Sequence, residues 1–146
     1  MKYRSLIEKL PYGEPFLFVD EIHEASQEGI RGSFTFREEL DFFRGHFKDV
    51  PITPGVILTE CCAQIGLACF GIYLMKDSIS HSIMALSGSE IEFYRAVYPG
   101  ERVEVISKKL YFRFGKLKCE VKMYNADKLL VCKGQLSGML KPVSDE

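Results

Sequence analysis

The chain of 146 residues lacks an excess of charge of either sign. Its 19 basic and 20 acidic residues give a formal net charge of −1. Because nucleic-acid binding normally needs a basic surface, this balance argues against a nucleic-acid partner. Basic residues cluster only locally and could meet an acidic partner, but a solvated strand face is the favoured interpretation of the cluster. Its members are Lys108, Lys109, Arg113, Lys116 and Lys118.

The five cysteines form no Cys-x-x-Cys pair, so a zinc site is not predicted. Their odd number, and an amino terminus without the apolar segment of a secretory signal, predict reduced thiols and a cytoplasmic protein. Buried cysteines mostly pack as small hydrophobic residues. A nucleophilic role for Cys61 or Cys62 is the alternative.

The chain also lacks internal repeats, low-complexity tracts and a recognisable linker. With 146 residues, of which 47% are hydrophobic, it can bury one hydrophobic core and is too short for two domains of ordinary size. The sequence therefore predicts a single domain over residues 1–146, with a loose tail at residues 142–146.

Residues 56–75 form a long apolar run with a single charged residue, Glu60. About twenty such residues could cross a membrane. The polar residues Glu60 and Gln64 within the run favour instead a helix buried inside protein, where a hydrophobic surface on all sides is expected. A membrane span is therefore not predicted.

Segments rich in β-branched and aromatic residues surround this helix and are predicted to be strands. Gly115 and residues 125–127 are predicted to be hairpin turns. One long helix with an antiparallel sheet available to wrap it indicates the α+β class. The predicted strands are residues 16–25, 29–36, 82–96, 102–114, 116–125 and 129–140.

Glu60 and Gln64 are four residues apart and so share one face of the predicted helix. Gln64 could hydrogen-bond the carboxylate and fix its orientation. Burial should raise the pKa of Glu60, and a carboxyl that stays protonated near neutral pH can donate a proton. Alternatively, the two side chains merely satisfy each other or a neighbouring backbone group.

The helix entry offers a second kind of chemistry. Backbone N–H groups in a first helical turn have no intrahelical partner, and Gly55 would let a ligand approach them. An acyl carbonyl bound there would be polarised as in an oxyanion hole. Pro54 is also simply a good helix start. Upstream, His46 lies in a Gly-His-Phe loop, where an isolated histidine is usually solvated or structural.

Three segments in order resemble the 3-hydroxyacyl-[acyl carrier protein] dehydratases (FabZ/FabA-like) of bacterial fatty acid synthesis. Residues 45–64 resemble the signature in which a Gly-His-Phe loop leads through a Pro-Gly-Val turn into a helix with a catalytic carboxylate and, four residues on, a glutamine. Residues 10–20 (LPYGEPFLFVD) and 93–101 (FYRAVYPGE) resemble two further family segments. The chain departs from the usual family residues at Tyr12, Lys48, Asp49, Thr53, Cys61 and Cys62, of which Thr53, Cys61 and Cys62 flank the acyl site that the resemblance implies.

The resemblance implies the hotdog fold, a long central helix wrapped by one antiparallel sheet, with sheets of two subunits joined edge to edge. It implies a homodimer or a trimer of dimers, an acyl carrier protein partner, and no metal or organic cofactor. His46 from one chain would be the base and Glu60 from the other the acid, with the amides of Gly55 and Val56 stabilising the oxyanion and Gln64 orienting Glu60. The candidates for an acyl tunnel are Phe47, Thr53, Phe93, Tyr94 and Tyr98.

Two alternatives remain open. A hotdog thioesterase would use the same helix-end amides but would hydrolyse the thioester with a carboxylate-activated water. The His46 loop favours dehydration over this reaction. A non-catalytic hotdog subunit that works with a partner chain is the second alternative, suggested by the altered loop at Lys48 and Asp49.

Overall fold

A computed structural model of the chain describes residues 2–76 and 82–142. It contains one antiparallel sheet of six strands, in the spatial order β1-β2-β4-β5-β6-β3. The two edge strands are thus β1 and β3, and the long hairpin of β4 and β5 lies near the middle. The strands are β1 Glu21–Ala25, β2 Gly29–Thr35, β3 Ser82–Phe93, β4 Arg102–Arg113, β5 Lys116–Asn125 and β6 Leu130–Pro142.

A helix spanning Gly55–Met75 lies on the sheet. It consists of α2 (Gly55–Ala63), a π-helical stretch (Gln64–Cys69) and α3 (Phe70–Met75). A Cβ atom at Gly66 would lie 3.0 Å from the Cβ of Ser107, so the helix backbone approaches β4 closely. The Ser107 hydroxyl donates to the Gly66 carbonyl at 3.1 Å and fixes this contact.

This helix is long and apolar enough to cross a membrane, but 72% of its most apolar window is buried inside the protein. It is therefore the core helix of the fold, as the sequence predicts. One long helix wrapped by one antiparallel sheet is the hotdog arrangement, and both the α+β class and the hotdog fold are confirmed.

Both predicted hairpin turns are present. Phe114 and Gly115 have positive φ angles of 53° and 75°, which is the conformation of a two-residue type I′ turn. In the second turn Asn125 Oδ1 accepts hydrogen bonds from the backbone N–H groups of Asp127 and Leu129, each at 3.0 Å.

The sequence prediction is wrong at several boundaries. Residues 16–20 are not a strand, because the Gln64 side chain binds the backbone of Phe16 and Phe18 in place of a neighbouring strand. The third predicted strand ends at Phe93 rather than at residue 96. Two short helices, α1 (Arg4–Glu8) and a 3-10 helix (Asp41–Arg44), were not predicted.

The predicted tail at residues 142–146 is partly wrong. Pro142 ends β6, and its backbone lies opposite Ser82 of β3. Residues 143–146 lie outside the described part of the chain.

Candidate active site

His46 lies in the loop that follows the 3-10 helix. Its backbone N–H donates to Phe42 O at 3.0 Å, and its carbonyl accepts from Ile52 N at 2.9 Å. The ring nitrogen Nδ1 lies 3.0 Å from Ile52 O. Because a carbonyl oxygen can only accept, this contact places the proton on Nδ1 and leaves the lone pair on Nε2. Nε2 is therefore the atom that can act as a base.

The His46 ring also stacks on Phe47, with ring centroids 4.0 Å apart and an interplanar angle of 26°. The His46–Phe47 peptide bond is cis. Phe47 N and Val50 N each bond to the carbonyl of the other residue, which closes the loop beyond the histidine. The imidazole is thus held by backbone bonds on one side and by an aromatic ring on the other.

Glu60 and Gln64 lie on one face of the central helix, as predicted. Gln64 Nε2 donates to Glu60 Oε2 at 3.1 Å and to Phe16 O at 3.1 Å. Gln64 Oε1 accepts from Phe18 N at 2.8 Å. Since a backbone N–H can only donate, the Phe18 contact fixes the orientation of the amide and presents its NH₂ group to Glu60.

Glu60 is half-buried, and burial raises the pKa of its carboxyl. The hydrogen bond from Gln64 acts in the opposite direction and is the smaller effect. The direction of the predicted shift is therefore confirmed. A raised pKa favours the protonated form in which the carboxyl can act as an acid.

The helix entry carries first-turn amides that lie ahead of the intrahelical hydrogen bonds. Ile57 N and Leu58 N both donate to Pro54 O, at 2.9 and 3.1 Å, so the N–H groups of Gly55 and Val56 precede the first intrahelical bonds. A Cβ atom at Gly55 would lie 3.2 Å from Cζ of Phe93. Glycine at this position therefore lets the ring of Phe93 lie directly over the helix start.

Most of the predicted tunnel residues are accessible in one protomer. Phe47, Phe93, Tyr94 and Tyr98 are each about half exposed. The Tyr94 hydroxyl donates to Glu92 Oε1 at 2.7 Å. Phe93 is the candidate that contacts the helix entry directly.

Thr53 differs from the other tunnel candidates because it is buried. Its backbone N–H donates to Val97 O at 2.8 Å. Within the described residues its hydroxyl has no hydrogen-bond partner. In one protomer Thr53 therefore holds the segment before the helix against residue 97 rather than presenting its side chain at the surface.

One protomer does not bring the two candidate catalytic groups into contact. In residues 2–76 and 82–142, no hydrogen bond or ion pair joins His46 to Glu60. Each group is fixed by its own set of bonds, His46 in a loop and Glu60 on the helix.

The five cysteines are all buried and free of disulfide bonds. Burial raises the pKa of the Cys61 thiol, and this thiol donates a weak hydrogen bond to Phe18 O at 3.4 Å. A high thiol pKa disfavours the thiolate that a nucleophile needs. In the described part of the chain, no group of three or more His, Cys, Asp or Glu side chains is arranged to hold a metal ion.

Sequence reasoning missed the position of Tyr12, which it treated only as a departure from the family. Burial and the nearby Glu60 carboxylate, followed by Cys69, raise the pKa of Tyr12. The Tyr12 ring packs at a tilt on Phe16, with centroids 6.2 Å apart. The segment at residues 10–20 is thus part of the Glu60 environment. The signal in the sequence that pointed to this was the resemblance of the segment to the family.

Comparison with known proteins identifies the family of this chain. A family model described as a FabA-like domain matches residues 10–136. A protein named 3-hydroxyacyl-[acyl-carrier-protein] dehydratase FabZ from Oleidesulfovibrio alaskensis is 34% identical over 126 residues, which are 83% of this chain and 79% of the relative. A protein of the same name from Psychrobacter arcticus is 33% identical over 133 residues, covering 90% and 91% of the two chains.

Solved structures share the fold at low sequence identity. The dehydratase heterocomplex ApeI:P from Xenorhabdus doucetiae has a TM-score of 0.77 and 17% identity, covering 90% of this chain and 88% of that one. A hypothetical thioesterase with coenzyme A from Streptococcus pneumoniae has a TM-score of 0.63 and 14% identity, covering 84% and 88%. With the family model matching most of the sequence, this chain belongs to the FabA-like family.

Proposed function

We propose that this protein is a hydro-lyase that removes water from a 3-hydroxyacyl thioester carried on acyl carrier protein and forms the trans-2-enoyl thioester. The observation that carries the proposal is Glu60. It is a half-buried carboxyl with a raised pKa, oriented by Gln64, on the helix whose Gly55 and Val56 amides precede the first intrahelical bonds. The names of the FabZ relatives support this substrate class.

His46 and Glu60 divide the proton transfers between them. Nε2 of His46 removes the proton from the carbon next to the thioester carbonyl, and the amides of Gly55 and Val56 stabilise the enolate-like oxygen. The bond from carbon 3 to the hydroxyl then breaks as Glu60 donates its proton to the departing oxygen, directly or through a bound water. The products are water and the enoyl thioester, and the imidazolium returns its proton to the carboxylate. No electron acceptor is needed.

The site we propose is shared by two protomers, with His46 of one facing Glu60 of the other. The contacts within one protomer support this, because each group is held in place but does not touch the other. Strand β3 supports it as well. It is a twelve-residue edge strand, and both Leu86 and Phe93 on it are about half exposed. A long edge strand of this kind presents unpaired backbone groups and is a template for pairing with another chain.

The acyl chain would enter beside the helix start. Phe93 covers Gly55, and the half-exposed rings of Phe47, Tyr94 and Tyr98 are the further candidates for lining its path. Thr53 would shape the same region from beneath the surface. We place this reaction in the cytoplasm, with an acyl carrier protein as the partner and with a homodimer, or three such dimers, as the active assembly.

A direct assay separates this proposal from its alternatives. The purified protein is given a 3-hydroxyacyl thioester on acyl carrier protein, and enoyl absorbance and free thiol are followed together. Dehydration predicts a rise in enoyl absorbance with no thiol release. Thiol release without enoyl formation would assign a thioesterase. If turnover required a second hotdog chain, this protein would be a non-catalytic subunit that works with that partner.

A further inference from the structure

The turn between β4 and β5 carries an aromatic side chain in an unfavourable place. Phe114 is 95% exposed and has a φ angle of 53°. Bulky residues rarely adopt a positive φ, and the type I′ turn prefers asparagine, aspartate or glycine at this position. Folding of the single chain gains nothing from burying this ring. An outlier of this kind invites a functional explanation.

Basic side chains surround the ring. Arg113 lies opposite Lys116 in the hairpin, and Tyr111 lies opposite Lys118. Because Leu117 and Cys119 are buried, the alternating residues Lys116 and Lys118 face away from the core. We call Arg113, Phe114, Lys116 and Lys118 the basic tip.

The charge of the basic tip is not balanced locally. In residues 2–76 and 82–142, none of its three cations forms an ion pair. Arg113 instead lies over the ring of Tyr111, with Cζ 4.3 Å from the ring centroid. Residues 108–120 contain five basic residues and one acidic residue, whereas the whole chain has a net charge of −1. This hairpin therefore carries a local excess of positive charge.

The basic tip is remote from the candidate active site. Phe93, which covers the helix start, lies opposite Cys132, and Cys132 lies opposite Met123, which pairs with Val105. The turn is nine residues further along β4 than Val105, which is about 30 Å along the strand. A ligand at the basic tip therefore need not obstruct the acyl site.

We propose that the basic tip binds the surface of an anionic lipid bilayer, with Phe114 entering the interfacial region and Arg113, Lys116 and Lys118 contacting lipid headgroups. A protruding aromatic ring with unpaired cations beside it suits this surface, because apolar insertion and attraction to anionic lipid add together. The proposal does not depend on the reaction assigned to the active site.

The test is co-sedimentation of the full-length protein with vesicles. One set is pure phosphatidylcholine, and the other contains about 30% phosphatidylglycerol as the anionic lipid. At about 0.15 M salt we expect binding to the anionic vesicles, little binding to the neutral ones, and release as salt is raised. Equal sedimentation with both sets, or with neither, would overturn the proposal.

Two variants locate the binding surface. Phe114→Asn creates an Asn-Gly turn, which suits the backbone, so its melting temperature should equal or exceed that of the wild type. Its affinity for anionic vesicles should nevertheless fall about tenfold. The affinity of the double variant Arg113→Gln, Lys116→Gln for anionic vesicles should fall by a similar factor or more. All variants should retain the activity of the wild type.

A matched control removes the same charge elsewhere. Lys122 and Lys133 lie opposite each other on β5 and β6, away from the turn. The variant Lys122→Gln, Lys133→Gln should bind vesicles more tightly than the basic-tip double variant. If both double variants lost the same vesicle affinity, binding would depend on net charge alone. That result would refute a specific binding surface. If Phe114→Asn changed the oligomeric mass instead of vesicle binding, the basic tip would be an interface with a second copy.

Discussion

Gln64 Nε2 donates to Glu60 Oε2 at 3.1 Å, and the other two polar contacts of the Gln64 amide go to the backbone of Phe16 and Phe18. The amide therefore cannot turn over to accept a proton from Glu60. When Glu60 is protonated, Oε2 remains the acceptor and Oε1 carries the acidic proton. The bond from Gln64 thus leaves Oε1 as the carboxyl oxygen that can donate a proton.

The first prediction concerns the two proposed catalytic groups. His46→Ala and Glu60→Gln should each lower the dehydration rate at least about a hundredfold, the usual scale for loss of a general base or acid. Steady-state enoyl formation measures the rate, and circular dichroism checks the fold. Glu120→Gln, which removes an exposed carboxylate from the outer face of β5, is the control and should keep the wild-type rate. Near-normal turnover in either catalytic variant would remove its assignment.

The second prediction is a pH dependence of activity. Burial raises the pKa of Glu60, and the acid must be protonated to act, so activity should fall as the pH rises through that pKa. Replacing Gln64 by Met removes the hydrogen bond that lowers this pKa. The alkaline fall of kcat should therefore move to higher pH in Gln64→Met. An unchanged profile would show that the fall reports another group.

The same Gln64→Met variant should also be less stable. It leaves Phe18 N and Phe16 O without their buried partner, and such a loss costs about 1–3 kcal/mol per unsatisfied group. Urea denaturation measures the free energy of unfolding. A variant as stable as the wild type would mean that water replaces the lost amide.

The fourth prediction links Glu60 to stability. Its pKa is raised in the folded state, so the folded protein favours the protonated form. The folded state therefore loses stability relative to the unfolded chain as the pH rises from the ordinary carboxyl range through the folded pKa. Glu60→Gln cannot ionise and should melt a few degrees above the wild type at pH 8. The difference should shrink toward pH 4, and a difference independent of pH would contradict this explanation.

The fifth prediction concerns Gly134 on β6. A Cβ atom there would overlap the carbonyl oxygen of Glu90 on β3, which as backbone cannot move aside. Gly134→Ala should lower the free energy of unfolding by about 3 kcal/mol or more. Gly88→Ala is the matched control in the same strand pair, since its Cβ would meet the Ser137 hydroxyl, a side-chain atom able to rotate away. Equal stability of the two variants would contradict the argument.

Local chemistry made much of the fold predictable. The strand at Lys116–Asn125 was predicted with its observed bounds, because its alternating residues and flanking turns are local signals. The helix from Gly55 was predicted from its apolar run and the Pro-Gly entry. The Glu60 and Gln64 contact followed from helical spacing alone.

Other features depend on residues far apart in sequence. Residues 16–20 look like a strand, but Gln64, 46 residues after Phe18, binds their backbone. The sheet order and the π-helical stretch Gln64–Cys69 have no local signature in the chain. The tautomer of His46 depends on the carbonyl of Ile52, whose direction the sequence does not encode.

Strand β3 gives the isolated protomer a long ribbon of backbone donors and acceptors at the sheet margin. If a second chain covers β3, association stabilises the folded state. Dilution will then favour unfolding, and the melting temperature will rise with protein concentration. In cells that make a related subunit at the same time, that subunit would then compete for pairing with β3. The abundance of each subunit would decide which pairs exist.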